Sequence, residues 1–271
     1  MTQQWSIETP QSIDVEGVRR LEVRLVGGRV DVVGRTEDAE AGAAHVEISK
    51  LDGPVVVTLS NGVLQIVHEK LTWGGVLDWL GGGRRTNAVV SVSVPAGCPV
   101  QLGVVSADAV VSGITAEATA VRSVSGDVTL DGLATCVSAR TVSGTLETRR
   151  LAGDLDFTTV SGDLTVVDAT TSRLRANSVS GDLTLDLVVD AESALDLKTV
   201  SGDVTVRLPG AAGLDVDVAS TSGSLQSEFG GLRSERRPGQ ARMTGRIGSG
   251  VGRLRAKTVS GDVVLLSRAR S

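Results

Sequence analysis

Apolar and polar residues alternate with a period of two along most of this chain. In the stretch "VSGDLTV", residues 160–166, the apolar positions Val160, Leu164 and Val166 alternate with polar ones. This alternation is typical of a β-strand with one buried face, and it predicts that these three side chains point inward. Gly162 falls at an inward position of the same count, which predicts a bend or a close approach of two backbones.

The phrase around this stretch recurs through the second half of the chain. A Ser-Gly pair starts at residues 125, 143, 161, 180, 201, 222 and 260, and a weaker copy starts at residue 106. Successive glycines of the seven pairs lie 18, 18, 19, 21, 21 and 38 residues apart. The last gap spans two periods, which predicts that one copy has been lost or overwritten. A second alternating segment, such as "ALDLK" at 194–198, fills the other half of each period.

A period of this length predicts an all-β fold, a β-solenoid (β-helix-like) with coils of about 18–21 residues. Stacked coils lie about 4.8 Å apart, the ordinary distance between paired strands. Each coil is too small to have its own core, so it needs the same pleat and side-chain volumes in its neighbours. This requirement explains why the phrase is repeated.

The chain is predicted to divide into two regions. Residues 1–103 form a β-rich N-terminal region that caps or continues the solenoid, and residues 104–271 form the repeat solenoid. An irregular charged insertion, predicted as a protruding loop or hairpin, interrupts the repeat at about 225–250. In the N-terminal region, Gly27-Gly28 and Asn61-Gly62 each stand between two alternating segments, the signal of a β-hairpin.

Composition changes this picture in two respects. Hydrophobic residues make up 41% of the chain but aromatic residues only 2%, which suits stacked aliphatic layers. The net charge of -5 argues against nucleic acid as a partner.

The cysteines and histidines do not have the spacing of a metal site. Cys98 and Cys136 are 38 residues apart, and only His45 and His68 stand beside them as further ligands. Two free thiols are therefore expected, with no cofactor.

Targeting signals are missing from the sequence as it stands. The first residues have neither a basic nor an apolar signal region, and no apolar run reaches the roughly 20 residues of a spanning helix. The expectation is a cytoplasmic protein without a transmembrane segment.

Three stretches carry a resemblance to a known family. The phrase "TVSGD", the strand "VSVPAGCPVQL" and the ending "GSGVGRLRAKTVSGDVVLL" resemble the DUF4097 family of β-strand repeat proteins. That family is common in bacteria and is catalogued as an adhesin domain. The resemblance implies a β-solenoid-like repeat fold without an established enzymatic activity, and it transfers no catalytic residue to this chain.

Recurrent aspartates are the first candidate site. They are predicted to follow one edge of the solenoid: Asp127, Asp163, Asp182, Asp203 and Asp262. Like charges about 4.8 Å apart repel by about 0.9 kcal/mol in water, so a ladder of carboxylates could hold cations such as calcium. The favoured interpretation is structural, with each carboxylate accepting backbone N–H bonds at its own bend. No catalytic, cofactor-binding or dedicated metal-binding residue is predicted.

The stretch "LTWGGVLDWLGGGRR", residues 71–85, is the second candidate. Its apolar residues follow a short helical stripe, and the predicted partner contacts are Trp73, Val76, Leu77, Trp79 and Leu80. The stripe suits a plug over the open end of the solenoid. The alternative is an exposed docking element, or one that touches a membrane with its two arginines near the headgroups.

These features predict a non-enzymatic structural or interaction protein. The expected role is a cytoplasmic β-solenoid scaffold that binds a protein partner or self-associates, with peripheral contact at the inner membrane surface as one option. The first alternative is an adhesin-like cell-surface or envelope module exported by an unrecognised route. A glycan-active β-helix enzyme is the second alternative, and only fold analogy supports it.

Overall fold

The structure is a computed structural model that describes residues 2–35, 42–68 and 86–268. Within these ranges the secondary structure consists of 22 strands and no helix, which confirms the all-β prediction for them. The chain forms two compact units, residues 1–135 and 136–271. The boundary predicted after residue 103 stays a prediction.

The strands of the first unit are β1 (Thr2–Ile7), β2 (Gln11–Val15), β3 (Arg20–Arg35), β4 (Ala44–Leu51), β5 (Val55–Ser60), β6 (Val63–His68), β7 (Asn87–Pro95), β8 (Val100–Ser112), β9 (Ala118–Ser123) and β10 (Val128–Asp131). The strands of the second unit are β11 (Cys136–Arg140), β12 (Leu146–Arg149), β13 (Leu155–Thr158), β14 (Leu164–Asn177), β15 (Leu183–Lys198), β16 (Val204–Pro209), β17 (Leu214–Ser220), β18 (Leu225–Ser227), β19 (Leu232–Arg237), β20 (Gln240–Ile247), β21 (Gly252–Thr258) and β22 (Val263–Arg268).

Two long parallel strands organise the first unit. The first halves of β3 and β8 pair with each other, and beside them lie β9 on one side and β6, β5 and β1 on the other. Their second halves also pair, and there the neighbours are β10 on one side and β7, β4 and β2 on the other. Each long strand therefore contributes to two pairing regions.

The hairpin predicted at Gly27-Gly28 is wrong, because β3 continues through both glycines as one strand. A Cβ atom on Gly28 would lie 2.0 Å from the carbonyl oxygen of Ala88, so the glycine permits close passage of two backbones. The hairpin predicted at Asn61-Gly62 is confirmed. There β5 and β6 pair antiparallel, and both loop residues have positive φ, as a tight hairpin turn requires.

The second unit stacks parallel strands in the register that the repeat predicts. Leu146 pairs with Leu164, Leu164 with Leu183, and Leu183 with Val204, at offsets of 18, 19 and 21 residues. Leu155, Leu174 and Leu195 follow the same offsets in the other half of the coil. The fold of this unit is accordingly solenoid-like.

The last coil does not follow the order of the chain. Strand β21 lies between β15 and β17, and β22 lies between β16 and β18. The C-terminal coil is therefore inserted between two coils that are consecutive in sequence. The 38-residue gap in the glycine spacing does not mark a lost coil, as the sequence predicted, but this exchange of order.

The charged segment 225–250 forms strand β18 followed by a hairpin of β19 and β20. Strand β20 pairs antiparallel with β17, the strand furthest from the start of the repeat in this sheet. Among the described strands, only β20 pairs with β19, so β19 is an edge strand.

Aliphatic columns fill the interior of the second unit. Leu146, Leu164, Leu183, Val204 and Val263 occupy one column, and all five are fully buried. The large ring of Phe157 lies in another column, where its cross-strand neighbours are Ala139 and Ala176. Small residues on both sides of the ring keep the column at normal packing density.

Candidate functional site

The repeated phrase forms a corner between the two halves of each coil, and its orientation differs from the prediction. The valine predicted to point inward is exposed, with Val160 at 51% exposure. The hydroxyl residue before it is buried instead, as Thr159 shows at 4% exposure. A buried hydroxyl residue occupies this corner position throughout the second unit, in Thr141, Thr159, Ser178, Thr199, Ser220 and Thr258.

Hydrogen bonds explain why the hydroxyl group and not the valine is buried. The N–H of Gly202 donates to Oγ1 of Thr199 at 3.1 Å, and the N–H of Gly181 donates to Oγ of Ser178 at 2.7 Å. In return, Oγ1 of Thr199 donates to the carbonyl oxygen of Gly181 in the neighbouring coil at 3.5 Å. Each hydroxyl thus pairs one buried N–H within its own corner, and a valine there would leave that donor unpaired.

The signal for this arrangement is present in the sequence. A hydroxyl residue stands three positions before each corner glycine, the spacing of a local side-chain-to-backbone bond. Period-two counting missed it, because "TVSGD" alternates equally well with either residue inside.

The aspartates accept hydrogen bonds from the next coil rather than from their own bend. Oδ1 of Asp163 accepts the N–H of Asp182 at 2.9 Å, and Oδ1 of Asp182 accepts the N–H of Asp203 at 2.8 Å. Asp203 accepts from Asp262 in the same way at 2.8 Å. In the first unit, the N–H of Asp127 donates to Oδ1 of Asp108 at 3.2 Å.

The ladder of carboxylates therefore has a structural role at the corners, where it links successive coils. Among the described residues, no three His, Cys, Asp or Glu side chains are grouped so that they could hold a metal ion. Cation binding by the aspartates stays an untested alternative.

Exposed valines form a continuous row along the corners of the second unit, which we call the valine stripe. Its members are between 46% and 51% exposed: Val142, Val160, Val179, Val200 and Val259. Backbone bonds from Ser161 to Val142, from Ser180 to Val160 and from Ser260 to Val200 join the corners in this order. At about 4.8 Å per coil, the stripe extends about 19 Å.

Serines beside the stripe direct their hydroxyl protons back to the backbone. Oγ of Ser161 donates to the carbonyl oxygen of Val142 at 3.3 Å, and Oγ of Ser180 donates to that of Val160 at 3.4 Å. Ser201 and Ser260 make the corresponding bonds. Since these donors are already used, the stripe can lose its water without leaving hydroxyl donors unpaired.

Charged side chains alternate in sign across one sheet of the second unit. The register places Asp156, Arg175, Asp196, Arg255 and Asp217 on adjacent strands in this order. Opposite charges at directly paired positions stabilise a sheet, whereas a slip of one residue would break the pattern. This charged face therefore supports the register of the stack.

The buried titratable groups are not prepared for catalysis. Burial lowers the pKa of His68 to about 4, and its Nδ1 accepts the N–H of Val26 at 3.0 Å. Burial raises the pKa of the Cys98 thiol to about 11, so the reactive thiolate is scarce at neutral pH. Cys98 and Cys136 are both free thiols.

The second set of candidates, Trp73, Val76, Leu77, Trp79 and Leu80, lies outside the described residues. Their assignment as partner contacts stays a prediction. Elsewhere in the chain, the described part contains no helix long and apolar enough to cross a membrane.

Comparison with known proteins identifies relatives of this architecture. A family model described as Toastrack DUF4097 matches residues 29–266. No curated protein matches the chain.

Solved structures with a similar fold include three bacterial proteins. A "putative cell adhesion protein" from Clostridium sporogenes is 12% identical, with 96% of this chain and 100% of that chain covered and a TM-score of 0.29. A "putative adhesin" from Bacteroides fragilis is 11% identical, with coverages of 96% and 98% and a TM-score of 0.47. A "putative lipid binding protein" from Parabacteroides distasonis is 10% identical, with coverages of 96% and 97% and a TM-score of 0.46. At these TM-scores the likenesses carry no inference about ligands or partners.

Proposed function

This chain belongs to the Toastrack DUF4097 family, and we propose that it acts as a non-enzymatic structural and interaction protein, a β-solenoid-like scaffold that binds a protein partner. The observation that carries the proposal is the valine stripe. Single exposed apolar side chains are ordinary on protein surfaces, but a contiguous row of five is typical of an interaction site.

The chemistry of the stripe favours a protein as the partner. Valine methyl groups recur at the spacing of paired strands, and the neighbouring serine donors are already bonded to carbonyl oxygens. Such a surface offers apolar contact at low desolvation cost. It is also rigid, because hydrogen bonds hold each corner to the next.

Strand β19 supports binding of a different protein rather than self-association through this edge. Its exposed side chains include Arg233, Arg236 and Arg237, and only Glu235 offsets their charge. Two such edges repel each other, and charged edge strands commonly prevent edge-to-edge pairing.

The absence of enzymatic activity is also part of the proposal. It is supported by His68, which is buried and neutral at pH 7, and by Cys98, whose thiol stays protonated. The cytoplasmic location expected from the sequence stays a prediction. Cell fractionation tests it, and surface-accessible protein would favour the adhesin-like alternative.

The test of partner binding compares two matched double variants. V160K/V179K places two lysines on the stripe at exposed positions of neighbouring coils. T165K/T184K places two lysines on neighbouring strands away from it, at positions that pair directly with each other. Both proteins should fold, because all four side chains point outward.

The wild-type protein and both variants are used to capture partners from native cells, and captured proteins are quantified. The proposal expects a protein that binds the wild type and T165K/T184K directly, as purified components, and binds V160K/V179K at least about tenfold more weakly. If no bound protein depends on the stripe, the proposal is wrong.

A further inference from the structure

Three arginines meet in a pocket on the charged sheet of the second unit, away from the corners that carry the valine stripe. The pocket has a volume of about 420 Å³ and is lined by Asp215, Asp217, Arg246, Arg253, Arg255 and the loop 250–252. This volume lies within the range of small-ligand sites. Three of the five charged lining side chains are cationic, in a chain whose net charge is -5.

The two aspartates of the pocket do not neutralise all three arginines. Both carboxylate oxygens of Asp217 accept hydrogen bonds from Arg242, which lies outside the pocket, at 2.9 and 3.0 Å. Asp215 faces Arg246 at 3.8 Å. The acids nearest to the other two arginines are thus already engaged.

Arg253 and Arg255 remain without an acidic partner in the described part of the chain. Arg255 lies between Asp196 and Asp217 in the register, but Asp196 forms its ion pair with Lys198 at 3.2 Å. The cross-strand neighbours of Arg253 are Ala194 and Asp215. Neither guanidinium group forms an ion pair within residues 2–35, 42–68 and 86–268.

The spacing of these two arginines suits a small oxyanion. They are two residues apart on strand β21 and both are exposed, so their Cα atoms are about 6.6 Å apart on the same face. Guanidinium groups bind phosphate and sulfate oxygens in bidentate geometry. Two of them that converge on one tetrahedral anion would share its charge.

The adjoining loop contributes a second feature. Gly248 and Gly250 have positive φ values of 64° and 71°, and Ser249 between them does not. Such alternation occurs in backbone concavities that bind anions through successive N–H groups. A Cβ atom on Gly250 would lie 2.8 Å from Cδ of Arg246, so the glycine allows the arginine side chain to lie across the loop.

We propose that this pocket, formed by Arg246, Arg253, Arg255 and the loop 248–252, is a binding site for a tetrahedral oxyanion, a phosphate or sulfate group. The group is either a free anion or the charged end of a larger ligand. The site is independent of the valine stripe, and its test does not depend on a protein partner.

The test measures binding of inorganic phosphate, sulfate and glycerol phosphate by calorimetry and by NMR shifts of the residues in loop 248–252. R253Q/R255Q removes two charges from the pocket. R233Q/R236Q removes the same number from strand β19 and serves as the control for net charge. Thermal unfolding establishes that both variants are folded.

The proposal expects the wild type and R233Q/R236Q to bind with equal affinity, and R253Q/R255Q to bind at least about tenfold more weakly. Preference for glycerol phosphate over inorganic phosphate supports an esterified ligand, whereas the reverse supports a free anion. Absence of binding, or equal weakening in both variants, would overturn the proposal.

Discussion

A carbon atom built at the Cβ position of Gly181 would lie 1.8 Å from the carbonyl oxygen of Gly162 in the neighbouring coil. The same approach recurs at Gly202 with Gly181 at 2.0 Å, and at Gly261 with Gly202 at 1.9 Å. These glycines do not have positive φ, so the reason for glycine is steric and not conformational. Any side chain at this position would push two coils apart.

Gly181→Ala should therefore lower the free energy of unfolding by about 3 kcal/mol, since the backbone must shift to admit the methyl group. Chemical denaturation measures the loss. The control is Gly230→Ala, where an added Cβ meets nothing within 4 Å and φ is not positive. Equal stability of Gly181→Ala and the wild type would contradict the close approach.

Thr199→Val tests the buried hydroxyl of the corner. The change keeps the shape of the side chain but leaves the N–H of Gly202 without its acceptor, at an expected cost of about 1–3 kcal/mol. The matched control is the reverse exchange at the next residue, Val200→Thr, which is exposed and should change stability by less than about 0.5 kcal/mol. If both variants unfold at the same denaturant concentration, the assignment of inside and outside at the corner is wrong.

Leu164→Asp tests the inward column. It would place an unpaired carboxylate in a fully buried aliphatic stack, which should unfold the second unit or abolish its cooperative transition. Thr165→Asp, one residue later and outward-facing, should remain folded. Circular dichroism and thermal unfolding measure both, and a stable Leu164→Asp variant is the contrary result.

Asp186 makes stability depend on pH. Partial burial acts to raise its pKa, but hydrogen bonds from Arg207 and Arg268 outweigh that effect and lower the pKa below the ordinary value. A carboxylate with a lowered pKa stabilises the fold above the pKa of the unfolded chain, about 3.9, and this contribution is lost as pH falls through the folded pKa.

Asp186→Asn should cost about 1–3 kcal/mol at pH 7, and the difference from the wild type should shrink below about pH 4. Denaturant unfolding at a series of pH values measures both. Asp156→Asn, at a more exposed pair with Arg175, should cost less than about 1 kcal/mol at any pH. A difference for Asp186→Asn that does not change with pH would contradict the role of the ion pairs.

Part of the candidate site could be predicted from the sequence. The recurrence of Asp163, Asp182 and Asp203 at one edge follows from the repeat period alone, as does the close approach at Gly162. The valine stripe could not be predicted by alternation, because the corner turns the chain and resets which side faces the core. The arginine pocket depends on Arg246 and Arg253, which come together only because the C-terminal coil returns beside β17.

The spacing of glycines and the alternation of apolar residues were sufficient to determine the strands, the coil length and the aliphatic columns. These are local properties, set by the pleat and by the volume that each coil must offer its neighbour. Tertiary structure alone decided that Thr159 is buried and Val160 exposed, since the balance depends on a backbone N–H that the hydroxyl must satisfy. It also decided the position of the last coil, because pairing between β15 and β21 joins residues 59 apart in sequence, and no local pattern specifies such a partner.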